Sequence, residues 1–167
     1  MSEIVNRVAN SPLKTFDLEQ LYDTSERISI DISQWLCEGF LLKEKEFRAS
    51  LKAHDWSIYE NKLVCVFCST DAILPAWASL LVASYLVGIA KKSIIGTEKE
   101  LNQLVYAEKI AQLDLSEFQD KPVIIKGCAK YPVPEVAYLL LLEKLQPIAK
   151  SVFYGEACSS VPIYKRK

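Results

Sequence analysis

The sequence predicts an α/β fold: a mostly parallel open sheet with packed helices, containing a tandem strand–helix–strand duplication at 55–96 and 114–155. Three observations lead there. Residues 55–96 match residues 114–155 without a gap at a constant offset of 59, giving 13 identities in 42 positions. Unrelated sequence of ordinary composition would give about three. Within each copy a short β-rich run precedes a proline and a long apolar segment, and a second β-rich run then ends at glycine. Strand, helix and strand in succession is the pattern of parallel strands joined by a helical crossover.

Taken in order, Ile28-Ser29-Ile30-Asp31-Ile32 alternates apolar and polar and predicts a strand with one solvated face. Phe40 to Leu42 predicts a further short strand, and Lys45 to Ala53 a helix. The first copy opens on the polar turn Asp55 to Asn61 and continues in a strand, Lys62 to Phe67. Pro75 suits the first turn of a helix that runs to about Ala90, and the strand Ser93 to Ile95 follows, ending at Gly96. Glu98 to Gln112 predicts a connecting amphipathic helix, with Leu101, Leu104, Val105 and Ile110 spaced for one face. The second copy repeats the order. Asp114 to Asp120 is the turn, Pro122 to Lys126 the strand, Pro134 to about Gln146 the helix, and Val152 to Tyr154 the strand before Gly155. The expectation is a single α/β domain over 1–167. Its parts are an N-terminal strand and helix layer (1–54), a first unit with the connecting helix (55–112), and a second unit with a C-terminal tail (113–167).

Acidic and basic residues nearly cancel, leaving a formal charge of -1. The basic cluster Lys165-Arg166-Lys167 reads as a solubilising tail, so no nucleic acid partner is expected. Met1-Ser2-Glu3 does not begin a secretory signal, and the five cysteines, Cys37, Cys65, Cys68, Cys128 and Cys158, form an odd, widely spaced set. That usage reads as reduced thiols and a cytoplasmic location. Ala72 to Ala90 spans 19 residues without a formal charge, but Pro75, Ser79, Ser84 and Gly88 interrupt it. It reads as a helix buried in the core or at a contact between copies of the chain, with no membrane partner.

The repeat places three cysteines just beyond strand ends. Cys68 follows the run Lys62 to Phe67, Cys128 the run Pro122 to Gly127, and Cys158 comes three residues after Gly155. Ligands gather at the carboxyl ends of parallel strands. Three thiolates at one rim would need a cation, so zinc, iron or an iron–sulfur cluster is the natural occupant, with Asp71, His54 or Glu156 completing the ligand set. Buried packing is the competing role for any of these thiols. If the two copies pack about a local two-fold, the loops after their first strands face each other and bring Cys68 and Cys128 together.

Cys65-Val66-Phe67-Cys68 spells a redox pair, but Cys65 lies inside a β run and so belongs to the core, as Cys37 does beside Trp35 and Leu36. In Cys68-Ser69-Thr70-Asp71, Ser69 and Thr70 could bind an anion at a helix start, or Thr70 or Asp71 could cap the helix. His54 reads more simply as a hydrogen-bonded turn residue than as a ligand. No glycine-rich phosphate loop, serine triad or paired-acid motif occurs.

HDWSIY at 54–59, CSTDAILPAWA at 68–78, KGCAKYPVPEVAY at 126–138 and KSVFYGEACSSVPIYK at 150–165 resemble, over the whole chain, the family of Bacteroidetes proteins known as domain of unknown function 2480. The resemblance supplies no activity, but it implies an association with iron–sulfur assembly proteins. Three readings follow: a metal- or iron–sulfur-binding accessory protein, a cysteine-thiolate enzyme with its site on the same rim, and a non-catalytic scaffold or homo-oligomer with structural cysteines.

Overall fold

The computed structural model describes residues 12–127 and 129–167. Along the chain these form β1 (Lys14–Asp17), β2 (Arg27–Asp31), α1 (Glu44–Ala53), β3 (Leu63–Phe67), α2 (Ala76–Leu86), β4 (Lys92–Ile95), α3 (Glu98–Ala111), β5 (Pro122–Lys126), α4 (Glu135–Leu145), β6 (Ser151–Tyr154) and β7 (Val161–Lys165). The strands make two sheets rather than the one open sheet expected: β2-β3-β4, all parallel, and β1-β5-β6-β7, parallel except for β7. The chain divides correspondingly into two compact units. One is Thr24–Asn102; the other takes the chain before Thr24 and after Asn102. Residues 24–102 are thus an insertion in the course of the second unit.

In the unit 24–102, alternation along β2 and β3 puts Ile30, Val64 and Val66 on one face. They are buried with Phe47 and Leu51 of α1 and Ala78, Val82 and Leu86 of α2. A spacing of four along α2 keeps its buried positions on one stripe, which is all that a two-layer unit needs from an otherwise apolar helix. The helix ends where Gly88 takes a positive φ of 79°. On the opposite face of the sheet Leu63 and Cys65 are also buried. Arg27 reaches the first turns of α3 from that face, donating from Nε and Nη2 to Asn102 Oδ1 at 3.0 and 2.8 Å.

The other unit is built the same way. Phe16, Val123, Ile125 and Val152 are buried with Ala137, Leu141 and Leu145 of α4 and with Tyr106 and Ile110 of α3. The offset of 59 recurs in the backbone. Asn61 and Asp120 both have φ 58°, and their N–H groups donate to Ile89 O and Ile148 O at 3.0 and 2.9 Å. Lys91 N–H donates to Lys62 O and Lys150 N–H to Lys121 O, each at 2.9 Å. The correspondence also runs upstream of 55: Phe47 and Leu51 of α1 lie where α3 has Tyr106 and Ile110, and all four are buried. The leading strands correspond at a different spacing. Asp17 ends β1 and Asp31 ends β2, each accepting from the N–H two residues on and starting a 3-10 turn, Leu18–Leu21 or Ile32–Trp35.

Several expectations are corrected. Phe40 to Leu42 is not a strand, because Glu38 and Gly39 both take positive φ and fold 37–41 into a tight turn with a single Cys37–Leu41 bridge. Ile32 leaves the strand for the 3-10 turn, and the helices stop at Leu86 and Leu145. The two strands in 1–54 go to different sheets, β1 beside β5 and β2 beside β3. The C-terminal tail read as solubilising is docked on the sheet: β7 pairs antiparallel with β6, and Arg166 bonds Asp120 and Ile148 O. Among the described residues no helix is long and apolar enough to cross a membrane.

Leu141 is fully buried on α4, while Leu139 two positions away is 54% exposed. Leu141→Ala is expected to cost about 2–5 kcal/mol of stability, and Leu139→Ala less than about 1 kcal/mol, read from urea unfolding followed by circular dichroism. Equal costs would contradict this assignment of the buried face.

Candidate functional site

At the carboxyl end of its sheet, the unit 24–102 is organised by one carboxylate. Asp31 Oδ1 accepts the N–H groups of Ser33 and Ser69, both at 3.0 Å, and Oδ2 accepts the Ser69 hydroxyl at 2.5 Å. The slight burial of Asp31 acts to raise its pKa, but the Ser69 hydroxyl and the N–H groups of Ser33 and Ser69 outweigh it and hold the carboxyl down at about 2. The loop 68–75 is thereby fastened to the end of β2. Thr70 fastens its other side, donating its hydroxyl to Gly39 O at 2.6 Å in the turn 37–41.

Since that hydroxyl hydrogen is spent on Gly39, Thr70 Oγ1 is left as an acceptor for the Cys68 thiol 3.4 Å away. The Thr70 carbonyl, 3.6 Å from the sulfur, is a second acceptor. The Cys68 side chain, half-buried against the core of its unit, thus has two acceptors on Thr70 within reach of its sulfur. Ser69, whose N–H and hydroxyl both go to Asp31, and Thr70 have these donors committed inside the protein.

The turn and the loop are the walls of an open groove lined by Phe40, Leu41, Leu42, Glu44, Asp71, Ala72, Ile73, Pro75 and Trp77. Apolar side chains stand out from it into solvent: Ile73 is 96% exposed and Phe40 60%. Exposed Glu44 and Asp71 make its polar part acidic. Trp77 is held by the Arg48 guanidinium 5.2 Å over its ring, and Arg48 in turn bonds Glu44 at 2.9 Å. Exposed apolar side chains gathered beside a few charges mark an interaction surface more often than a catalytic one.

The equivalent rim of the other unit uses a different acid. Glu19 Oε1 accepts the N–H groups of Ala129 and Lys130, so it closes the loop after β5 as Asp31 closes the loop after β3. Lys126 stands between Asp17 at 3.8 Å and Glu156 at 3.6 Å. Tyr22 stacks on Tyr131 with ring centroids 4.3 Å apart. Cys158 is exposed in the turn closed by the Ser159 N–H on Glu156 O.

Of the residues singled out from sequence, Cys128 lies outside the described residues. Cys68 belongs to the unit 24–102 and Cys158 to the other. His54 sits among aromatic rings, its Nε2 3.0 Å from Tyr59 Oη and its ring edge-on to Trp35 and Trp56. Asp71 lines the groove, and Glu156 is paired with Lys126. Among the described residues no three histidine, cysteine or acidic groups come together to hold a metal ion. Cys65 is 2% exposed, and burial together with nearby Glu98 pushes its thiol pKa up. Phe40, Ile73, Asp31 and Glu19 were not singled out from sequence. The available signal was Asp-x-x-Gln, present as Asp17 to Gln20 and again as Asp31 to Gln34.

These features define an α/β protein of two parallel-sheet units with similar backbones, one bearing an apolar groove at its strand ends. The chain belongs to the family described as protein of unknown function (DUF2480), whose model matches residues 2–166. No curated protein and no solved structure matches it.

Because the Asp31 pKa falls in the folded protein from its ordinary 3.8 to about 2, its contribution to stability is complete above about pH 4 and is lost as pH drops toward 2. Ser69→Ala is expected to move the Asp31 carboxyl titration upward, measured by carbon-13 NMR. An unchanged midpoint would show that the Ser69 hydroxyl does not hold the carboxylate.

Proposed function

We propose that the protein is a non-catalytic interaction protein. Its groove at 40–44 and 71–77 receives an extended segment of another protein, apolar with flanking basic residues. The observation that carries this reading is the set of exposed apolar side chains, Phe40, Leu41 and Ile73, on walls tied together by Thr70 and edged by Glu44 and Asp71. Fixing the walls in advance lowers the ordering cost of binding. The donor role of Cys68 supports the same reading, since its sulfur serves the scaffold. Selecting peptides from a random display library against the protein should enrich sequences that combine large apolar residues with lysine or arginine. Their affinity should fall at least about tenfold for Phe40→Ser/Ile73→Ser, a loss of about 1.4 kcal/mol. Failure to enrich any peptide that distinguishes the two proteins would sink the proposal.

A second reading keeps a metal, zinc or iron or an iron–sulfur cluster, and with it an association with iron–sulfur assembly proteins. What favours it is register: β5 and β6 are neighbours with Ile125 opposite Tyr154, so Cys128 and Cys158 follow two adjacent strand ends of one sheet. The ion pair between Lys126 and Glu156 spans the same two ends. Protein purified without oxygen would then carry metal or a visible cluster band that Cys128→Ser or Cys158→Ser abolishes and Cys68→Ser retains. Metal-free wild-type protein eliminates this reading.

A further inference from the structure

The two units differ at one edge. In the unit containing β6, that strand is completed by β7, which lies antiparallel with Tyr154 opposite Val161 and Ser151 opposite Lys165. In the unit 24–102 the equivalent strand, β4, ends its sheet, and among the described residues no strand pairs with its outer side. An open edge is a template for another strand, and proteins usually guard it with charge, proline or a bulge. β7 carries Pro162 and a register shift, β1 has Lys14 and Asp17, and β2 has Arg27 and Asp31. β4 has only Lys92, followed by Ser93, Ile94 and Ile95.

The helix beside that edge differs in the same sense. Tyr138, Leu139 and Leu142 of α4, with Tyr154, line an apolar trough that Ile163 of β7 also lines. At the positions 59 earlier, α2 has Ser79, Leu80 and Ala83, with Ile95 on β4. These positions carry smaller side chains than their counterparts on α4 and β6. Leu80 is 62% exposed and Ile95 52%. Where α4 carries Glu135, Glu143 and Lys144, α2 has Ala76, Ser84 and Tyr85 and no charge from end to end. Loss of charge around an exposed apolar patch is the composition of a covered interface.

We infer that β4 pairs antiparallel with β4 of a second copy of this chain, joining two three-stranded sheets into one of six strands with the two α2 helices side by side. A two-fold axis normal to the sheet at Ile94 sets Ile94 opposite its own copy and Ser93 opposite Ile95. This is the strand direction that β7 already adopts on β6. The same axis brings Lys91 and Lys92 of one copy toward Glu98 and Glu100 at the start of α3 in the other, so the charges at the ends of the edge are complementary. The pairing uses no groove residue and stands independently of the peptide reading above.

The test is sedimentation velocity on the full chain from 1 to 100 µM, a range of order set by ordinary association strengths. The expected result is a concentration-dependent dimer of the 18.9 kDa chain. Leu80→Glu should weaken it by about 100-fold, because each dimer buries two unpaired carboxylates. Leu139→Glu, at the matching place in the other unit, should leave it unchanged. Amide exchange of β4 should slow as the dimer forms. A monomer throughout, a dimer weakened by Leu139→Glu but not by Leu80→Glu, or a dimer with no added protection of β4 would each overturn the inference.

Discussion

Each unit depends on how the carboxyl end of a parallel sheet is closed. A strand that runs into a loop there leaves N–H groups that no neighbouring strand can accept, and a buried or half-buried N–H without a partner is costly. Asp31 answers this for one unit, binding the start of its own 3-10 turn and the loop after β3 with a single carboxylate. In the other unit the task is divided: Asp17 takes the turn, and Glu19 takes the loop after β5. Two solutions to one geometric demand show that the demand belongs to the backbone and the acid is free to move. In both loops carboxylates of the chain hold backbone N–H groups, those of Ser69, Ala129 and Lys130.

From this closure the groove follows. With the loop 68–75 fixed at Ser69 by Asp31 and at Thr70 by the turn 37–41, its Ala72 and Leu74 side chains pack against the core. Ile73, Phe40 and Leu41 are turned outward. The positive φ of Glu38, in a conformation that favours glycine or asparagine, belongs to the same construction, because the turn must be tight for Gly39 O to meet Thr70.

Much of the frame was legible in the sequence. The helices and the two central strands appear as apolar runs of the right length and period, and a constant offset marks them twice. What escaped was short or badly patterned. β1 is four residues with a single buried side chain, Phe16, and β7 is an exposed strand broken by Pro162, so neither shows an alternation that a reader could trust. The leading strands were hidden for another reason. Their counterparts lie 14 residues apart, while everything later lies 59 apart, so a search at one offset finds only part of the correspondence. The groove was illegible because its walls are loops, whose side-chain directions depend on a tight turn and on hydrogen bonds between residues more than thirty positions apart, such as Thr70 and Gly39. The cysteines drew attention by their type, yet the surroundings of Cys65 and Cys68 give them quiet work: one fills the core and the other donates to a threonine.

The insertion of residues 24–102 has a consequence for how the polypeptide is made. The strand β2 meets β3 after 36 positions, Arg27 to Leu63, but β1 waits 109 positions, Lys14 to Val123, for its neighbour. During synthesis the inserted unit can close as soon as Asn102 has left the ribosome to accept from Arg27, whereas Lys14–Asp17 emerges first and is joined late. The earliest of the described strands is then among the last to find its sheet. When Asn102 has emerged, β1 is the only described strand of the other unit that has been made.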